Sequence, residues 1–248
     1  TFDPHPVRIL RPEIPLRLIT QLDHPLDLLA QTGIEAVLIL PFTHTLSQLT
    51  AHQFARTILA DALGAVEVHE GENFRFGAGA RADVNDLATL GKELHFHVRA
   101  HQPTMSRGTL VSSSAVRAAI AAGNMRAARQ LLGRLFDIVS TSAAGRGYGS
   151  RYTVPTVNLA STNELLPANG VYVTCLEVSG ETFPSVTNVG NRPTFGEESF
   201  AVESHILDFH PIDLDENTQL RLRFLERIRA EIEWPSPAAL KEQILRDI

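Results

Sequence analysis

Hydrophobic residues are arranged in two different ways along this chain. Up to about residue 132 they recur mostly at helical spacing, broken by short apolar runs. Beyond about residue 135 they alternate with polar residues in short stretches punctuated by Gly, Pro and Asn. In the first part the spacing predicts helices over residues 24–33, 49–63, 84–94, 114–122 and 124–132, and strands over 35–40, 65–69 and 95–100. Asn124 suits a helix N-cap, and Gly123 and Gly133 suit helix stops. Strands alternating with helices imply a mostly parallel sheet with helices packed on it. In the second part, residues 171–178 and 201–209 alternate, as do Leu220, Leu222 and Phe224 with Arg221 and Arg223. Several short strands separated by turn signals predict a small antiparallel barrel or sandwich. The tail returns to helix, with Ser236 as N-cap, Pro237 in the first turn and Leu240, Ile244 and Ile248 at four-residue spacing. The junction falls near residues 133–138, with no internal repeat and no low-complexity linker.

Composition narrows the class. The chain has 248 residues, 44% hydrophobic and 20% charged, which is enough for one large or two modest folded domains. Its formal charge of −6 is spread without blocks, which argues against nucleic acid or an anionic membrane surface as the main partner. One cysteine, Cys175, excludes an intrachain disulfide and fits a reducing compartment. No apolar run approaches the ~20 residues of a membrane span, and none has the form of a secretory leader, so a cytoplasmic location is expected. The chain opens at Thr1 with TFDPHP, which reads like the end of a strand, so further sequence upstream is expected.

The most informative stretch is residues 145–158, GRGYGSRYTVPTVN. Glycines let backbone N–H groups approach phosphate oxygens. Thr156 and Asn158 offer two neutral oxygens that point the same way in a strand, a donor set suited to a hard cation. The spacing matches no P-loop, and an ordinary hairpin loop has the same composition. Glu203 lies in AVESHILDF, where alternation puts it on one face with His205, Leu207 and Phe209. It is a candidate proton acceptor or a rim glutamate paired with an arginine. Asn73, Phe74, Arg75 and Phe76 between Gly71 and Gly77 could stack on a flat ring or form a turn with two core phenylalanines. Ser112, Ser113 and Ser114 ahead of Arg117 make either an anion site at a helix start or a plain serine cap. His95, His97 and His101 would share a strand face, but without a Cys or carboxylate beside them the spacing favours no metal site.

Taken in order, these segments resemble the bacterial bifunctional riboflavin kinase/FAD synthetase family. TFDPHP, PFT at 41–43, GENFRFG at 71–77, VSSSAVR at 111–117 and LLGR at 131–134 are similar to its adenylyltransferase half. VPTVNL at 154–159, NGVY at 169–172, NVGNRPTFG at 188–196 and VESHILDF at 202–209 are similar to its kinase half. The resemblance implies a Rossmann-like nucleotidyltransferase domain over residues 1–134, incomplete at its start. It is followed over residues 135–248 by a six-stranded split β-barrel with a C-terminal helix. It implies ATP-dependent phosphorylation of riboflavin to FMN and adenylylation of FMN to FAD, with Mg²⁺ as the metal and small molecules as the partners.

Carried over residue by residue, the resemblance implies that Thr156 and Asn158 hold Mg²⁺ and that Glu203 is the catalytic base toward the riboflavin 5′-hydroxyl. Gly145, Gly147, Arg151 and Thr156 would contact ATP, and Tyr172 and Arg229 would neighbour the flavin. In the other half, His5, Pro6, Asn73 and Phe76 would surround FMN, and Ser113, Ser114 and Arg117 would hold ATP phosphates. The family's GFPTAN stands here as TVPTVN, with Thr153 and Val157 replacing glycine and alanine, and its LGRP ends in Leu135. Its HxGH motif does not occur in these residues, so adenylylation is expected only of a longer form. Two other functions compete with the kinase: a flavin- or nucleotide-binding module without turnover, and an adenylyltransferase carrying a degenerate barrel.

Overall fold

A computed structural model describes residues 1–20, 23–142, 156–160, 163–191, 200–207, 217–232 and 243. Contacts divide the chain into two compact units, Thr1–Leu16 with Leu28–Leu110, and Arg17–Asp27 with Val111–Ile248.

In the first unit, strand Glu67–Gly71 runs parallel to strand His97–His101, and helix Val84–Leu94 lies between them in sequence. That helix begins where Asp83 accepts hydrogen bonds from the amides of Asn85 (2.8 Å) and Asp86 (3.1 Å), while Asp86 accepts one from the Asp83 amide (2.9 Å). This reciprocal cap satisfies amides that would otherwise be orphaned at the helix start. Ala55, Phe76, Ala82, Leu87 and Phe96 form the core. Three expectations change. The strand predicted over 35–40 contracts to Leu40–Pro41, the part laddered with Phe2–Asp3. The helix predicted over 49–63 is α-helical only from Ala51 to Phe54 and continues as a wider π-helix, Ala55–Ala62. His95 is not in a strand: at φ 65° it is the left-handed cap of helix Val84–Leu94.

The second unit is built on one antiparallel sheet. Its strands are β1 (Phe136–Thr141), β2 (Thr156–Leu159), β3 (Gly170–Val178), β4 (Glu181–Asn191), β5 (Phe200–Ile206) and β6 (Gln219–Arg229), in the order β2-β5-β4-β3-β6-β1. An isolated bridge between Ser142 and Leu159 joins the two edge strands, and the Ala160 amide donates to the Thr141 carbonyl at 3.0 Å. The six strands therefore curl into a barrel closed at one end, which removes most of the exposed edge.

Alternation decides what goes inside. Leu220, Leu222 and Phe224 of β6 are fully buried, while the intervening Arg221 and Arg223 point out to Asp137 and Glu177. Two short helices, α1 (Ser113–Ala121) and α2 (Met125–Leu132), add Val116, Ile120, Met125, Ala128 and Leu131 to the same apolar core. Asn124 caps α2 and Gly133 ends it at φ 71°, as their residue types predict. The interior also holds a chain of hydroxyls. Thr174 Oγ1 lies 2.7 Å from both Ser185 Oγ and Thr187 Oγ1, and Thr187 donates to Ser204 at 3.0 Å. All four residues are buried, so each hydroxyl satisfies its neighbour where water cannot. The predicted C-terminal helix lies outside the described residues, Gln243 excepted.

Candidate active site

The outward face of the barrel collects the polar residues singled out in its sequence. Asn158 of β2 stands opposite Glu203 of β5, and Glu203 stands opposite Asn188 of β4. Directly opposed residues in an antiparallel ladder point to the same side, with Cβ atoms about 4.5–5.5 Å apart. Their neighbours Val157, Leu159, Val202, Ser204, Thr187 and Val189 are buried, so the row Asn158–Glu203–Asn188 faces outward. One step along, Thr156 stands opposite His205, and His205 opposite Val186. Thr156, Asn158 and Glu203 thus share one face of two adjacent strands, and all three are partly accessible. A hydroxyl, an amide carbonyl and a carboxylate side by side form an all-oxygen donor set beside a group able to accept a proton.

Two further residues share this face. Asn188 opens the NVGNRPTFG segment but gains a place in the site only through its register with Glu203. His205 was placed on the face of Glu203 by alternation, and the fold adds that it lies opposite Thr156 and is only 7% exposed.

Other candidates fall elsewhere. Gly145, Gly147 and Arg151 lie outside the described residues. Tyr172 is on the interior side of β3, fully buried, with its ring edge-on to Phe224 (centroids 5.4 Å apart) and its hydroxyl donating to the Ala168 carbonyl. Burial pushes that hydroxyl up to about 12, opposed by the nearby Arg227 guanidinium. Tyr172 is therefore a core side chain that turns away from the face carrying Glu203. Arg229 stands opposite Val171, which stands opposite Asn188, so it extends the same transverse row by two strands. Its Nη1 donates to the Ala230 carbonyl at 3.3 Å.

In the first unit, His5 caps helix Pro6–Leu10 by accepting the Val7 amide at Nδ1 (3.2 Å), with Pro6 at the first helical position. Asn73 lies in the turn between strands Glu67–Gly71 and Arg75–Phe76. Phe76 is a core residue stacked on the more accessible Phe74 at 5.3 Å. In the second unit Ser112, not Ser113, caps α1 by accepting the Ala115 amide at 3.2 Å. Ser113 and Ser114 are exposed in its first turn, and Arg117 Nε donates to the Arg17 carbonyl at 2.9 Å. His101 meets His69, Nε2 to Nδ1 at 2.8 Å, rather than His95 or His97. Among the described residues no group of three or more His, Cys, Asp or Glu side chains could hold a metal.

Comparison with known proteins bears on both units. The riboflavin kinase family model matches residues 132–248, and the FAD synthetase family model matches residues 1–115. The bifunctional riboflavin kinase/FMN adenylyltransferase of Pseudomonas fluorescens is 34% identical over 249 residues, spanning 100% of this chain and 79% of the relative. The protein of the same name from Escherichia coli (strain K12) is 33% identical over 247 residues, spanning 99% and 78%. A crystal structure of a protein named macrolide-efflux protein from Streptococcus pneumoniae superposes with a TM-score of 0.89 at 27% identity, covering 100% of this chain and 80% of that one.

Proposed function

This chain belongs to the bifunctional riboflavin kinase/FMN adenylyltransferase family, and we propose that the outward barrel face of Thr156, Asn158 and Glu203 is where its kinase half phosphorylates riboflavin. The family's reactions transfer phosphoryl from ATP to riboflavin, giving FMN, and adenylyl from ATP to FMN, giving FAD. We assign the first to residues 135–248 and the second to residues 1–134. The observation that carries the kinase assignment is the register that sets Asn158 directly across from Glu203.

Glu203 accepts the proton of the flavin 5′-hydroxyl as that oxygen bonds to the γ-phosphorus and the bridging oxygen leaves with ADP. Asn158 and Asn188, one on each side, hold the carboxylate's surroundings fixed, and positioning of this kind supplies most of the rate in phosphoryl transfer. The hydroxyl of Thr156 and the amide oxygen of Asn158 fit Mg²⁺, which prefers hard oxygen ligands and few protein groups. Such an ion, when bound, neutralises phosphate charge.

The adenylyltransferase half takes FMN beside His5, Pro6, Asn73 and the Phe74–Phe76 pair, with Phe74 offering the accessible ring. Ser113, Ser114 and Arg117, at the start of α1 in the second unit, are assigned to ATP phosphates on the family resemblance of VSSSAVR. A cytoplasmic location belongs to the same reading. The efflux in the name of the pneumococcal protein stays with that protein; among the described residues no helix is long and apolar enough to cross a membrane. Two enzyme families matched in sequence along one chain favour catalysis over a passive flavin carrier. Incubation with riboflavin and Mg-ATP, followed by chromatography, tests the reading: FMN accumulates, and its absence under saturating substrates would overturn it.

A further inference from the structure

The chain leaving β6 is pressed onto the same outward face. The Glu231 carboxylate lies against Gly190 of β4 so closely that a Cβ on residue 190 would overlap both of its oxygens. Asn169 Nδ2 donates to Glu231 Oε2 at 3.3 Å, and Arg227 in turn donates to the Asn169 carbonyl. A second glycine, Gly170, admits the Arg229 carbonyl, which lies 2.5 Å from where a Cβ would sit. Two side-chain-free positions and one amide thus fix where Glu231 goes.

That place is informative. Gly190 follows the interior Val189 and shares the outward side of β4 with Asn188. It stands opposite Ala201, one outward position along from the Asn188–Glu203 pair. Diagonal neighbours of this kind are about 7–8 Å apart at their Cα atoms. The barrel therefore presents two carboxylates on one face, at a separation a short chain of carbons can bridge. Glu231 is only partly exposed, and among the described residues one donor, Asn169, reaches it, which leaves acceptor capacity on a two-oxygen group.

We infer that Glu231 orients the substrate by accepting a hydrogen bond from a secondary hydroxyl of the flavin's ribityl chain, and this rests on the assignment of Glu203 as proton acceptor. The ribityl chain carries secondary hydroxyls beside its primary terminal one, and only the terminal one is phosphorylated. One acceptor cannot choose among them, whereas two acceptors at a fixed spacing measure the chain. A carboxylate accepts and never donates when ionised, so it suits alcohol partners, and a partner lacking the hydroxyl leaves it unpaired.

The test uses the whole chain as wild type, Glu231→Gln and Asn169→Ala. Each is titrated with riboflavin, and with a flavin whose side chain keeps only the terminal hydroxyl, by quenching of flavin fluorescence; kcat is read from FMN formation. Glu231→Gln is expected to weaken riboflavin binding about tenfold, the usual scale for a hydrogen bond to a charged group, with binding of the deoxy flavin unaffected. Asn169→Ala, which removes the donor that aims the carboxylate, is expected to show a smaller loss with the same selectivity. Equal loss for both flavins, or no loss in either variant, overturns the inference. If Glu203→Gln still abolishes turnover in that case, the phosphotransfer reading stands; near-normal turnover in Glu203→Gln removes that reading and this one together.

Discussion

Asn158 and Glu203 face each other across the β2–β5 ladder, although 45 positions separate them in the chain. The amide proposed to bind the metal and the carboxylate proposed to accept the proton are thereby held by backbone hydrogen bonds rather than by loops. The pair cannot drift apart without unzipping β2 from β5. The hydroxyl chain Thr174–Thr187–Ser204 runs through the interior and ties β5, the strand of Glu203, to β4 and β3.

Replacing the carboxylate of Glu203 by an amide keeps its volume and removes its ability to take a proton. Glu203→Gln is expected to bind riboflavin normally and to lose ~10²–10⁴ in turnover, the range for a positioned general base. Steady-state FMN formation together with flavin titration checks this; turnover within a few-fold of wild type would remove Glu203 from the role.

The amide opposite it should act on the metal. Asn158→Ala removes one of two neutral oxygen donors on β2, so the Mg²⁺ concentration for half-maximal activity is expected to rise, with saturating metal recovering much of the rate. An unchanged metal titration would mean that Asn158 positions substrate or carboxylate and is no ligand.

Much of this architecture is legible in the sequence where the signal is local. The apolar period marks helix Val84–Leu94, and alternation alone puts Glu203 and His205 on one side of β5. The strand expected over 35–40 is shorter in the fold because an apolar run becomes a strand only where a partner supplies hydrogen bonds, and that ladder spans Leu40–Pro41. His95 leaves the expected strand because its left-handed φ follows from helix termination, which a histidine tolerates but does not signal. Tyr172 alternates with outward residues, yet only the barrel shows that its side is the interior. Nothing in the sequence reveals that Glu231 lands on Gly190, because that contact arises between segments about 40 residues apart.

Barrel closure leaves a second electrostatic feature. Asp137 of β1 is 4% exposed and takes Arg134 Nη1 on Oδ1 at 2.5 Å and Arg221 Nη1 on Oδ2 at 2.9 Å. Asp137→Ala takes the carboxylate away from two partly buried guanidiniums, and a loss of about 2–4 kcal/mol in urea unfolding is expected, below the full figure for a buried pair because both arginines reach solvent. Arg221→Ala alone is expected to lose less, since Arg134 still pairs the carboxylate. Equal stability of Asp137→Ala and wild type would show that the trio contributes nothing net.

Tyr172 predicts how the barrel responds to alkali. Its hydroxyl titrates near 12 in the folded protein because burial disfavours the phenolate, against about 10 in an unfolded chain. The folded pKa is the higher one, so the full contribution to stability is present below pH 10 and is lost as pH rises from about 10 to 12. The loss is on the order of 2 kcal/mol, because the unfolded chain releases the proton first. Tyr172→Phe removes that step but also removes the hydrogen bond to the Ala168 carbonyl. The variant is therefore expected to be less stable at neutral pH and less sensitive between pH 10 and 12. Urea midpoints across that window, with wild type and variant falling in parallel, would show that Tyr172 is not the group responsible.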